Sequence, residues 1–307
     1  KALGIVEFAR QVEEEWAHLK DGPATLTEAE VERIARHFTA PPYATLADDD
    51  FDFANHRQQD KAFTRWVERN VHGHKVSGYA AITVSLKAYD HATGNITAEQ
   101  MELVADLADR YSFGEARVSH EQNLILADVA KRDLHALWQE LRANGLATPT
   151  VGLLTDIICC PGGDLCSLAN AKSTPIAMAI QERLGDLDYL HDIGEVSLNI
   201  SGCMNACGHH HVGNIGILGV DKRGEEWYQV SIGGCQGNHT TLGSILGPSF
   251  AAPEVPRVVE QLIDVYLESR HADEIFIDTV ERLGIAPFKA RVYGSHDSTQ
   301  DRKVANG

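Results

Sequence analysis

The stretch SGCMNACGHHHVGNIGILG (residues 201–219) sets Cys203 and Cys207 one helical turn apart. It follows them with His209, His210 and His211, then returns to apolar residues that read as a strand. Cysteines used only as small packing groups need no such setting. Paired thiols beside imidazoles point to a soft metal or a metal cluster.

Working outward, the chain carries six cysteines: Cys159, Cys160, Cys166, Cys203, Cys207 and Cys235. Structural disulfides staple small secreted domains, whereas a tight group of thiols in a chain of 307 residues reads as metal or redox chemistry in a reducing compartment. The candidates form two pairs, Cys160-x5-Cys166 and Cys203-x3-Cys207, with thirty-six residues between them. Packed thiols without metal, a zinc site and an iron–sulfur cluster are all open on spacing. Zinc knuckles favour narrower pairs than Cys160-x5-Cys166. A [4Fe–4S] cube accepts less regular spacing, so the chemistry favours iron–sulfur. Pro161, Gly162 and Gly163 in one loop, and Gly202 and Gly208 around the other pair, let backbone approach a bulky group.

The flanks read as alternating strands and helices. EVSLNIS (195–201), VGNIGILGV (212–220) and WYQVSIGG (227–234) are strand-like, with a turn at Asp221-Lys222-Arg223-Gly224. TPIAMAIQERLG (174–185) predicts a helix with Pro175 in its first turn. PEVPRVVEQLIDVYLESR (253–270) and ADEIFIDTVERLG (272–284) predict two more. Upstream, GYAAITVSLKAY (78–89) predicts a buried strand, and Thr97-x-x-Gln100 a capping box opening a helix through Tyr111. EARVSHEQNLILADV (115–129) predicts a strand, and KRDLHALWQELRANG (131–145) a helix closed by Gly145. Residues 1–40 read as helical up to Pro41-Pro42, and DDDFDFANHRQQD (48–60) as a connecting loop or arm, the alternative being an interaction segment. The predicted boundaries are a helical and irregular connector (1–74), a βαβα half-domain (75–148), a cofactor-binding domain (149–294) and a flexible tail (295–307).

Charge limits the partners. A net charge of −17 argues against nucleic acid, whose binding rests on Lys and Arg neutralising phosphates. No run of 18 apolar residues predicts a membrane span. Lys1 is not an initiator Met and no leader pattern follows it, so a cytoplasmic fragment without a signal peptide is expected.

The segments CCPGGDLCSLANAKSTPIA (159–177), LNISGCMNACGHHHVGNIGILGV (198–220) and YQVSIGG (228–234) together resemble the sirohaem- and [4Fe–4S]-containing sulfite and nitrite reductases. RVSHEQNLIL (117–126) resembles that family's ferredoxin-like half-domain. The resemblance covers about residues 75–290 and implies an α+β fold, a ferredoxin-like half-domain followed by a mixed α/β sirohaem/[4Fe–4S] domain. It implies that Cys160, Cys166, Cys203 and Cys207 hold the cluster, with Cys207 also the bridging axial ligand of the sirohaem iron. Asn205, Gly208, His209, Gly233 and Gly234 match positions that touch the cofactors. The alternative for Asn205 is a turn-capping role. Axial ligation by the three histidines is not expected, and Cys159 and Cys235 are read as non-ligands. Arg117 and Gln122 fall where the half-domain faces the cofactors, the alternative being to hold the strand end.

The family's chain is about twice this long, so the resemblance is to its C-terminal half. The implied reaction is the six-electron reduction of sulfite to sulfide by an assimilatory enzyme, with nitrite to ammonia as the alternative. The implied partners are the N-terminal half, which brings the basic anion-binding residues, and a ferredoxin or flavoprotein donor. A cluster-only electron-transfer module and an inert fragment are the rival readings. The chain alone is expected to bind sirohaem weakly or not at all.

Overall fold

The computed structural model describes residues 3–48, 51–89 and 91–294, and the tail expected over residues 295–307 lies outside them. The chain divides after Ala44 into two units. The first holds α1 (Gly4–Ala17) and α2 (Glu28–Ala35), neither of which buries a side chain. Thr27 caps α2, its hydroxyl accepting from the Glu30 amide at 3.2 Å.

The second unit opens with α3 (Phe51–Gln59) and α4 (Lys61–Asn70). Helix α3 lies where a loop was expected. Asp60 caps α4 by accepting from the Ala62 and Phe63 amides at 2.9 and 3.1 Å. Phe63 and Trp66 of α4 are fully buried in the half-domain core, so residues assigned to a connector are structural here. The chain continues through β1 (Val71–Gly73), β2 (Tyr79–Val84), α5 (Ala98–Tyr111), β3 (Arg117–Val118), β4 (Leu124–Ala130) and α6 (Leu134–Ala143). The sheet order is β1-β2-β4-β3, every pair antiparallel. The Thr97–Gln100 capping box at α5 is present. The single strand predicted over 115–129 is instead two, separated by a tight turn in which Gln122 has φ +59°.

The second domain contains β5 (Ile158–Cys159), α7 (Thr174–Leu184), α8 (Leu187–Ile193), β6 (Leu198–Ser201), β7 (Ile215–Lys222) and β8 (Glu225–Ile232). It ends with β9 (Ser244–Ile245), β10 (Phe250–Ala251), α9 (Val255–Ser269), α10 (Phe276–Leu283) and α11 (Ala286–Gly294). The sheet order is β10-β8-β7-β6-β5, with β9 also on β8. Strands β5, β6 and β7 are parallel, and β7–β8 is an antiparallel hairpin. Its two loop residues, Arg223 and Gly224, both have positive φ, as hairpin turns matched to strand twist require. Helix α7 buries Ile176, Ala177, Ile180 and Leu184, one face at helical spacing, and α9 packs beside it. Among the described residues no helix is long and apolar enough to cross a membrane.

Candidate functional site

Parallel strands β5 and β6 are neighbours, and each runs at its C-terminal end into one cysteine pair. Cys160 follows β5 directly, and Cys203 lies two residues beyond β6. In open sheets the crevice beyond the carboxyl ends of parallel strands is where ligands bind, because strand ends there diverge into separate loops. The α7–α8 crossover brings the loop that begins at Cys160 beside the loop that carries Cys203.

Gly202 joins the two loops. Its amide donates to Cys160 Sγ at 3.1 Å, and its carbonyl accepts from the Asn170 and Ala171 amides at 2.8 and 3.1 Å. A Cβ here would lie 2.7 Å from the Ala171 carbonyl oxygen and 2.8 Å from Gly162 Cα, so the approach requires glycine. Cys160 Sγ also meets Ser173 Oγ at 3.5 Å, and its amide donates to the Ile200 carbonyl at 3.1 Å. Tyr228 of β8 donates its hydroxyl to the Lys172 carbonyl at 2.7 Å, holding the far end of the first loop.

The second loop is set by Gly208, whose amide donates to Ser201 Oγ at 3.1 Å and whose carbonyl accepts from Asn199 Nδ2 at 2.9 Å. A side chain at 208 would strike the Ile200 carbonyl. Ala206 and His209 on either side take left-handed backbone. All six cysteines are free thiols; Cys203 is buried, Cys160 and Cys166 are half-buried, and Cys207 is exposed. Leu165 and Leu168 in the first loop and Met204 in the second are 85, 71 and 83% exposed, large apolar side chains left uncovered on the two cysteine loops.

The remaining predicted residues separate. Asn205 and His209 are exposed in the second loop. Gly233 and Gly234 follow β8, held by Asn214: Gly233 donates its amide to the Asn214 carbonyl, and Asn214 Nδ2 donates to the Gly234 carbonyl at 2.9 Å. Cys235 pairs with Thr241 across a small bridge. Cys159 packs into the core, and burial pushes its thiol up to about 12, so it stays protonated. Of the three histidines it is His210 that turns inward. Burial, with His211 beside it, holds His210 down to about 4, and its Nδ1 has no hydrogen-bond partner. Sequence reasoning had no means of choosing it, since HHH carries no periodicity.

Among the described residues, no three His, Cys, Asp or Glu side chains converge tightly enough for a single metal ion. A mononuclear zinc needs every thiolate within about 2.3 Å of one point, while a cluster spreads its ligands over a larger body. The four thiols expected as donors lie on two loops joined at Gly202, with a glycine cradle and an amide hydrogen bond to the Cys160 sulfur in place. Those features fit an iron–sulfur cube.

The chain resembles known reductases. Residues 152–300 match the nitrite and sulphite reductase 4Fe-4S domain, and residues 72–144 match the nitrite/sulfite reductase ferredoxin-like half domain. The chain is 28% identical over 198 residues to the assimilatory ferredoxin-dependent nitrite reductase of Haloferax mediterranei, covering 63% of this chain and 34% of that one. It is 29% identical over 206 residues to the ferredoxin–nitrite reductase of Synechococcus elongatus, covering 64% and 39%. An assimilatory-type sulfite reductase of Nitratidesulfovibrio vulgaris is 24% identical over 202 residues, covering 66% and 88%. The NirA protein of Mycobacterium tuberculosis shares the fold at TM-score 0.62 and 23% identity, over 94% of this chain and 47% of that one. The chain thus spans little more than a third of the nitrite reductases it matches and about half of that solved structure. With the half-domain and the 4Fe-4S domain in sequence and the cysteine pairs at the ends of β5 and β6, the chain belongs to the nitrite and sulfite reductase family.

Proposed function

We propose that this chain is the cluster-bearing half of a sirohaem-dependent assimilatory sulfite reductase. The observation that carries the reading is the pairing of β5 with β6, which sets Cys160 and Cys203 at adjacent strand ends and ties their loops through Gly202. In this reading Cys160, Cys166, Cys203 and Cys207 would hold a [4Fe–4S] cluster, and the exposed Cys207 would also serve the sirohaem iron. Asn205, Gly208, His209, Gly233 and Gly234 would contact the tetrapyrrole. When bound, the two cofactors supply the single-electron transfers that sum to the reduction of sulfite to sulfide.

The chain's own part is orientation and exclusion of water. Gly202 and Gly208 bring backbone within reach of the cluster, and the Gly202 amide stabilises charge on the Cys160 sulfur. Leu165, Leu168 and Met204 supply an apolar rim for the tetrapyrrole and for the polypeptide that completes the cavity. The nitrite reductases and the solved NirA structure are about two to three times as long as the segment matched, which supports a preceding half as that polypeptide. Anion-binding cations and a donor-docking surface would come from it, with a ferredoxin as donor, after the printed names of the nitrite reductases. Six free thiols support a reducing, cytoplasmic setting.

A second reading, nitrite to ammonia, is favoured by the number of ferredoxin–nitrite reductases among the relatives. The sulfite reading is supported by the relative matched over 88% of its own length. The test is iron, zinc, acid-labile sulfide and tetrapyrrole content of protein purified without oxygen, followed by sulfite and nitrite turnover with a chemical reductant on the complete enzyme. Iron and sulfide in equal amounts support the cluster. Zinc alone, or no metal, would refute it. A clear turnover preference for nitrite would replace the substrate.

A further inference from the structure

Strand β5 is two residues long and lies at the edge of its sheet. Along a strand, successive residues turn their backbone polar groups to opposite sides. The Cys160 amide faces β6, where it donates to the Ile200 carbonyl. Ile157 and Cys159 face the other way, toward an edge with no further strand. Buried backbone groups left there unpaired would forfeit the water they give up on folding, so partners are needed.

The half-domain fills that edge with side chains. Gln122 makes a two-bond pair with Cys159: its Oε1 accepts from the Cys159 amide and its Nε2 donates to the Cys159 carbonyl, both at 2.8 Å. The primary amide of Gln122 therefore stands in for the peptide group of a missing neighbouring strand. Lys87 Nζ and Thr93 Oγ1 both donate to the Ile157 carbonyl, at 2.8 and 2.9 Å. Asn123 Nδ2 donates to Asp156 Oδ1 at 3.1 Å, while Asn123 Oδ1 accepts from the Leu86 amide at 3.0 Å. Gln122 is held for this task in left-handed backbone, a conformation unusual for a residue with a side chain. The turn that imposes it is closed by the Ser119 amide on the Asn123 carbonyl at 2.9 Å.

We infer that Gln122, with Lys87 and Thr93, is a positioning residue for Cys160: the half-domain completes the sheet edge and thereby fixes where the first cysteine loop leaves it. Its consequence for a bound cluster rests on the function proposed above, but the clamp acts on the polypeptide whether or not a cluster is present. The two domains are then mechanically one at this point, and a displacement of the 119–123 turn is felt at Cys160.

The experiment uses the full chain with Gln122→Met, which keeps length and removes both bonds, and Gln122→Glu, which keeps only the acceptor. In the metal-free chain, hydrogen exchange over residues 158–160 should quicken about tenfold in Gln122→Met, as loss of a buried bond pair implies, and less in Gln122→Glu. Alkylation of Cys160 should quicken with it, while exchange in α5 and β7 stays unchanged. In reconstituted protein, Gln122→Met should shift the reduction potential and electron-spin-resonance signature of the cluster. Unchanged exchange and alkylation at 158–160, or a loss of protection spread evenly over the chain, would overturn the inference. If wild type takes up no iron and sulfide yet Gln122→Met still loosens 158–160, the cluster reading falls and the positioning role stands. Should Gln122→Met fail to fold, Thr93→Val, which leaves Lys87 on Ile157, must show the same local loosening in milder form, and its absence would equally refute the clamp.

Discussion

The amide of Gly202 donates to the sulfur of Cys160 at 3.1 Å, so the residue that introduces Cys203 also supports the first cysteine of the other loop. Because Gly202 is packed against the Ala171 carbonyl and Gly162 Cα, both backbone, a methyl group cannot be accommodated by rotating a side chain. Gly202→Ala should cost about 1–3 kcal/mol of stability and most of the iron content. Unfolding in urea and metal analysis check it; a variant with full iron and an unchanged midpoint would contradict the proposed cradle.

Cysteine identity is the second test. Cys203→Ser should empty the site, and Cys166→Ser and Cys207→Ser should do likewise. Cys235→Ser should leave iron and sulfide at the wild-type level, and so should Cys159→Ser, whose thiol is packed in the core. Loss of iron in Cys235→Ser would mean that the ligand set has been misassigned.

Lys87 should give the protein a distinctive pH dependence. It is fully buried, and that burial lowers it from 10.5 to about 8, with the carboxylates of Asp156 and Glu121 opposing the shift. Below about 8 both folded and unfolded chains hold the proton, and the burial penalty is present in full. Between about 8 and 10.5 the unfolded chain holds more protons than the folded one, so this group makes stability rise with pH. Lys87→Met should remove that rise, seen as a wild-type-minus-variant difference that grows across the interval in chemical denaturation. Parallel profiles would show that Lys87 is not the group responsible.

Domain boundaries can be tested by truncation. Removing residues 1–44 takes away a unit that buries none of its helical side chains, so the remainder should keep its unfolding midpoint. Removing residues 1–74 also strips Phe63 and Trp66 from the half-domain core, where truncation of one such aromatic costs about 3–5 kcal/mol. That shorter protein should be insoluble or unfolded. A stable 75–307 chain would restore the boundary expected from sequence.

These contrasts show where sequence was informative. The Thr97–Gln100 box, Pro175 at the head of α7 and the Asp221–Gly224 turn are local rules, and each element stands where its rule placed it. The four thiols stand out in the sequence because clustered cysteines are rare and glycines are close by, and their role as ligands is the proposal tested above. Helix α3 was missed because FDFANHRQQ has no apolar face to announce it. Tertiary relations were invisible: that Gln122, which the resemblance placed toward the cofactors, would bind the Cys159 backbone, that His210 rather than His209 would turn inward, and that α4 would enter the half-domain core. Each depends on partners far away in sequence, which no local pattern records.

The parallel pairing of β5 with β6 also dictates an order of events during synthesis. Parallel strands cannot pair until the crossover between them has folded, a slow non-local step. Cys160 and Cys166 therefore leave the ribosome well before their counterparts and must wait as bare thiols through α7, α8 and β6. The danger to this protein lies in that interval, when a stray oxidant could link Cys160 to Cys166 before Cys203 and Cys207 have been made.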